Sequence, residues 1–534
     1  MGTMRVRSLG YAAVALAVSV AGTSAQSDEG TSFDVQTRAE RTEYRETSSY
    51  ADVMEFLTAV TDWSTSLRLT TFGYSSEGRA LPLVVVGDVA DGDAAVVRAS
   101  GKTRVYVQAN IHAGEVCGKE AMLMFLRDLA TGRHAEWLDS LVLLIAPIYN
   151  ADGNERVRLT NRGRQHGPIG GMGQRANADG LDLNRDHMKV ESPEARSLLS
   201  MMNTYDPHVM VDLHTTNGTT HAYYLTYAPP LNPNTHKDID SLLRGDLLPA
   251  VTQAVREQHG WDFYYYGNLP WRGAPGERGW YTFDHRPRFN NNYIGLRNRL
   301  GILSEAYAYA TFADRVKASL WFVEGVADYA YRNATVIRRV VAAADEAALV
   351  GQELGVRFEI ARSPEPVEIL MGEVLEERNP YSGRIMLRRT DARHPEIMYE
   401  YGTFRATETE RVPAAYFVPD QLREVLNRLT DHGIRWSRLA DPLDVVAQRF
   451  VIDSSTVSPR EFEGHRERNL YGQYQEVRVT LAAGTAMVAM DQPLGRLAFY
   501  LLEPRADDGF VNWNQLDSAL EGTDYYPILR TLQR

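Results

Sequence analysis

His112 and Glu115 stand three apart where an apolar run ends, in VYVQANIHAGEVCGKE (105–120). A second histidine, His214, closes VDLHTT, with Asp212 two residues earlier and so on the same strand face. Two imidazoles and one carboxylate supply three ligands to a zinc ion and leave the fourth position open, as catalytic rather than structural zinc requires. Glu305 ends the apolar run of ILSEAY. A lone carboxylate there is costly unless it is paired or does chemistry, and it fits a general base for the hydrolytic water. A fourth segment, GMGQRANADGLDLNRD (171–186), gathers Arg175, Asp182, Asn184 and Arg185. An arginine fork with amide support from a neighbouring asparagine can hold a carboxylate.

These groups all fall at the ends of elements in an alternating pattern from about 35 to 335. RVYVQANI (104–111) and SLVLLIAPIY (140–149) are continuous apolar runs, as expected of strands covered on both faces. Between them 116–130 is apolar around most of a helical circumference and predicts a buried helix. Residues 208–215 and 299–307 predict two further strands, and 192–204, 238–258 and 312–331 predict helices. The alternation predicts an α/β domain with a mixed, mostly covered sheet and helices on both faces. In such sheets ligands bind outside the carboxyl ends of the strands, where these polar residues stand. After about 335 the pattern changes. One helix is expected over 336–354, then strands that include VRFEIA, VEILMGEVL, RIMLRR, EVRVTL, TAMVAM and LAFYLL, with a helical interlude at 419–434. That predicts a separate β-rich domain over 340–534.

HAGE, NADG (150–153), RANADGLDLNRD, DLHTT and ILSEAY occur in the order seen in the zinc carboxypeptidases typified by carboxypeptidase A, and the resemblance covers residues 36–335. It implies one zinc per chain held by His112, Glu115 and His214, with Asp182 orienting His112. It implies that Asn184 and Arg185 hold the substrate's C-terminal carboxylate, that Arg175 polarises the scissile carbonyl, and that Glu305 is the base and later the acid. The family also uses a mobile tyrosine some twenty residues before that glutamate; Tyr281 is nearest to the spacing and Tyr293 is its rival. The implied activity is hydrolysis of the C-terminal bond of peptides or proteins with a free C-terminus. A related amidase or deacylase activity, or a non-catalytic binding module, are the alternatives. Taken singly, each site residue also has an ordinary structural reading, such as a strand-end histidine or an Asp182–Arg185 ion pair.

Composition bounds the rest. The 534 residues, 44% hydrophobic and 24% charged, describe a globular protein with a sizeable core, and the formal net charge of −12 argues against nucleic acid as partner. The single cysteine, Cys117, excludes an internal disulfide. Arg5 and Arg7 precede the apolar 11–22 and then TSAQS, a pattern that predicts a cleaved signal peptide over 1–25 and a secreted or periplasmic protein. That run is too short for a comfortable membrane span, and no second one follows.

Overall fold

In this computed structural model residues 33–270 and 276–533 are described; the expected signal segment at 1–25 lies outside the described residues. Nine strands concern the site: β1 (Leu67–Tyr74), β2 (Ala80–Val86), β3 (Thr103–Ala109), β4 (Leu141–Ala146), β5 (Val209–Thr216), β6 (Leu225–Ala228), β7 (Phe263–Tyr265), β8 (Gly279–Tyr281) and β9 (Leu300–Tyr307). All but β8 join one sheet of order β1-β2-β4-β3-β5-β9-β6-β7. The centre, β4-β3-β5-β9, is parallel; β1 with β2, β2 with β4 and β6 with β9 pair antiparallel, and β7 runs parallel to β6. Every residue of β3 and β4 is buried, as the unbroken apolar runs require.

Helices cover both faces. The helix Cys117–Ala130 approaches so closely at Gly118 that an added Cβ would lie 2.6 Å from Leu213 Cβ. The helix Asn290–Leu296 packs at Gly301, which pairs with Met210 and so belongs to the opposite face from Leu213. Asp212, His214 and Glu305 share that second face, and His214 pairs with Glu305 in register. β3, β5 and β9 are parallel neighbours, so the three sequence-distant motifs open at one edge.

Val35–Arg534 forms one compact unit. Beyond 340 the chain is rich in strands, the largest group being a six-stranded sheet that ends in the long antiparallel hairpin of Leu443–Val457 and Arg468–Leu481. The strand His394–Tyr401 pairs in parallel with β8, so main-chain hydrogen bonds tie this part to the residues before 335. Three elements differ from the sequence expectation, the first being VEILMGEVL, which divides into the strands Val367–Met371 and Val374–Arg378 of two different sheets. The helix expected over 336–354 runs Ala334–Glu346, and Gly351, at φ 89°, turns the chain into a strand at Glu353. LAFYLL, expected as a strand, belongs to the helix Gly495–Leu502, all eight residues of which are buried. A short apolar run with no polar face carries no period to separate a buried helix from a buried strand.

Candidate metal centre and active site

The chain leaves β3 through Asn110, whose left-handed φ of 67° swings His112 out over the sheet edge. The Glu115 N–H then donates to the His112 carbonyl (2.8 Å), closing a turn that aims both side chains at one point. Asn150 of NADG secures that turn, donating from Nδ2 to the carbonyls of Ile111 and Arg175 (both 3.2 Å) and accepting from the Gly153 N–H at 2.9 Å. His214 reaches the same point from the end of β5.

The donor atoms of His112, Glu115 and His214 lie within 4.8 Å of one another, and all three residues are at most 3% exposed. Both Nδ1 atoms face Glu115, at 3.0 Å for His112 and 2.9 Å for His214. Both Nε2 atoms face a further carboxylate, Asp182 at 3.0 Å and Asp212 at 2.9 Å. Hydrogen bonds on both sides would require each ring to carry two protons. A divalent cation in place of the two Nδ1 protons leaves each Nε2–H donating to its own carboxylate, the way ligating imidazoles are usually held. The residues present therefore fit a zinc ion, with two nitrogens and one carboxylate as protein ligands. The electrostatics agree. Burial would raise the Glu115 carboxyl, but Arg162 and His112 outweigh it and hold it well below the usual range. Burial likewise opposes charge on His214, and Asp212 overcomes it, raising that imidazole well above its ordinary value.

A cavity of about 340 Å³ opens over this cluster and brings Glu305, Asn184, Arg185 and Arg175 to the same space. Burial pushes the Glu305 carboxyl up to about 8, with His214 opposing and Glu115 reinforcing the shift. Its Oε2 is buried without a hydrogen-bond partner among the described residues. Arg185 has its guanidinium carbon over the Phe289 ring, 3.8 Å from the centroid, and donates to the Asn184 carbonyl (2.7 Å); no carboxylate among the described residues pairs with it. Asn184 is set by the Asn290 N–H, which donates to its Oδ1 at 2.9 Å, while its Nδ2 lies 3.4 Å from His214 Nε2. Arg175 donates from Nε to Asp182 Oδ2 at 2.8 Å, and its side chain is 44% exposed at the cavity mouth.

Tyr281 is a correction. Its ring stacks on Tyr401 with centroids 4.0 Å apart, its hydroxyl donates to the Glu277 carbonyl, and it does not border the cavity. Pairing of β8 with the strand His394–Tyr401 draws it away. Tyr293 is also elsewhere, buried with its hydroxyl 2.7 Å from His432 Nδ1. The tyrosine at the cavity is Tyr266, whose hydroxyl accepts from Asn268 Nδ2 (3.1 Å) and is pushed up to about 12, by burial first and then by Glu305. Sequence reading missed it, along with Arg162, which pairs with Glu115. Neither has a local signal: Tyr266 sits in a run of tyrosines and Arg162 in a charged loop. A larger cavity of about 1220 Å³ lies against the C-terminal sheet and contains none of these groups.

Comparison with known proteins agrees with this geometry. Residues 53–267 match the zinc carboxypeptidase family, a stretch that contains His112, Glu115 and His214 and ends before Glu305. "Carboxypeptidase 2" of Trichophyton tonsurans is 24% identical over 479 residues, covering 85% of this chain and 81% of its own. The protein of the same name from Trichophyton equinum is 25% identical over 485 residues, with the same coverage of both chains. A metallo-carboxypeptidase structure from Burkholderia cenocepacia aligns with 54% of this chain and 70% of its own, at 18% identity and a TM-score of 0.40. The ligand cluster thus lies inside the stretch that matches the zinc carboxypeptidase family, in a chain similar to carboxypeptidases well beyond that stretch.

Proposed function

We propose that this protein is an exported zinc carboxypeptidase that removes the C-terminal residue of peptides or proteins, with residues 36–335 carrying the chemistry. One observation carries the reading. The cavity that holds the His112, Glu115 and His214 cluster also holds a guanidinium, Arg185, without a carboxylate partner among the described residues, and on Glu305 a carboxylate oxygen without a donor among them. The peptide's terminal carboxylate fits the first. Arg185, supported by Asn184, grips it and so sets the distance from the chain end to the bond that is cut. Arg175 at the mouth faces the carbonyl of that bond and stabilises the negative charge that develops on its oxygen. Glu305 takes a proton from the attacking water and delivers it to the departing amine. His112, Glu115 and His214 would hold one zinc ion per chain, which would supply Lewis acidity at this site. Asp182 and Asp212 keep the two imidazoles in the ligating orientation.

Export rests on the basic head and apolar core within 1–25. Among the described residues no helix is long and apolar enough to cross a membrane. Amino-terminal sequencing of the protein recovered outside the cytoplasm should begin at Gln26.

The decisive test compares a peptide acid with the same peptide as its amide. A charge-assisted hydrogen bond is worth about 1.5–3 kcal/mol, so the acid should be favoured by roughly one to two decades in kcat/KM. Arg185→Met should slow the acid far more than the amide and nearly abolish that preference. Because the comparison is internal to each enzyme, loss of folded protein would lower both rates and leave their ratio alone. Equal cleavage of acid and amide by the wild type would overturn the exopeptidase reading in favour of an amidase.

A further inference from the structure

The turn that carries Asp182, Asn184 and Arg185 is held from a place 281 residues away. The Asp182 N–H donates to Glu463 Oε2 at 2.9 Å. Glu463 stands at the tip of the long C-terminal hairpin, whose last paired residues are Val457 and Arg468. The tip closes on itself: Phe462 and His465 exchange both main-chain hydrogen bonds, at 2.8 and 3.0 Å. Glu463 and Gly464 between them take φ of 51° and 80°. That is a two-residue turn with both central residues left-handed, where asparagine, aspartate or glycine is the usual first residue. A glutamate there is strained, because its Cβ crowds the following carbonyl in the left-handed region. Strain retained at one position points to a function of the side chain that sits there.

The tip is also fastened on both sides of Glu463. His465 Nε2 lies 2.8 Å from Glu191 Oε1. Glu467 accepts from Arg288 at 2.7 Å and from Arg286 at 3.3 Å. Arg286 in turn donates to Asp284, a wall of the catalytic cavity. Arg288 lies over the rings of Phe462 and Trp513, 5.2 and 4.4 Å from their centroids. The tip therefore cannot slide, and Glu463 presents its carboxylate to one main-chain N–H. Asp182 is then fixed at every polar group that bears on the site: its N–H by Glu463, Oδ1 by His112 and Oδ2 by Arg175.

We propose that Glu463 is a positioning residue of the active site, through which residues 340–534 set the turn that aligns Asn184 and Arg185 on the substrate carboxylate and Asp182 on His112. This rests on the peptidase reading for its kinetic consequence, but the positioning itself can be read without substrate. Glu463→Gly removes the side chain and suits the left-handed backbone, so the thermal midpoint should stay or rise. Glu463→Gln keeps an acceptor oxygen at the same reach. In the glycine variant the KM for a peptide acid should rise about tenfold, the worth of one such hydrogen bond, with a smaller change for the amide. Zinc should be stripped at lower chelator concentration, and the Asp182 amide should exchange with solvent faster. The glutamine variant should remain within about threefold of wild type in each measurement, since a neutral acceptor retains part of the bond. Wild-type KM, zinc retention and amide protection in Glu463→Gly would overturn the proposal, as would a glutamine variant as impaired as the glycine one. If the wild type showed no preference for peptide acids, the peptidase reading would fail, while zinc retention and amide exchange would still decide the role of Glu463.

Discussion

The floor and the rim of the cavity are built on opposite rules. At the floor every imidazole nitrogen of His112 and His214 faces a carboxylate oxygen between 2.9 and 3.0 Å away, and Glu115 adds Arg162 and the Thr215 N–H. At the rim two of the charged groups lack, among the described residues, the partners that the floor supplies. Among the described residues Arg185 rests on an aromatic face with no carboxylate partner and Glu305 has an oxygen without a hydrogen-bond partner, while Arg175, paired with Asp182, is nearly half exposed. Buried polar groups without partners are expensive, so a fold keeps them only where something arrives to complete them. The floor is therefore organised around an ion that stays. In the function proposed above, the rim is organised around a molecule that comes and goes.

The sharpest break in this comparison is at the floor. His214→Ala should remove a ligand and leave Glu115 and Asp212 each short of a partner, so zinc and activity should be lost together. Metal analysis alongside a turnover assay checks it, and an inactive variant with one full equivalent of zinc would take His214 off the ligand set. At the rim, Glu305→Gln keeps the shape of the side chain but not its basicity. We expect normal zinc content and a fall in kcat of about 10²–10⁴, the usual worth of a general base, with little change in KM. Turnover close to wild type would mean that another group moves the proton. The smallest effect belongs to the residue that serves both regions. Asn150→Ala frees the carbonyls of Ile111 and Arg175 at once, at a cost of about 1–3 kcal/mol. Zinc retention and kcat/KM should both fall, by roughly tenfold each. A variant that changed one and not the other would show that floor and rim are positioned independently.

The legible part of the site shares one property. His112, His214 and Glu305 each end an apolar run, and a polar residue in that place stands out against its neighbours. Asn184 and Arg185 stood out as an adjacent pair able to grip an anion. Tyr281 shows where that signal stops. Distance along the chain from Glu305 favoured it, yet β8 pairs with the strand His394–Tyr401 and carries the ring away, while Tyr266 enters from the end of β7. LAFYLL fails for a related reason: without a polar face it has no period, and the surrounding core chose the helix.

By itself, then, the sequence determined the ligand types, the order of the motifs and the alternation of strand and helix, because each is written in residue character and local spacing. Tertiary structure alone decided that β3, β5 and β9 lie side by side, so that Glu115 meets His214 and His214 stands next to Glu305. It alone decided which tyrosine borders the cavity, and that Glu463 reaches the Asp182 N–H from the far end of the chain. Strand order and the aim of a distant turn depend on how whole faces pack, and no local window of sequence contains that information.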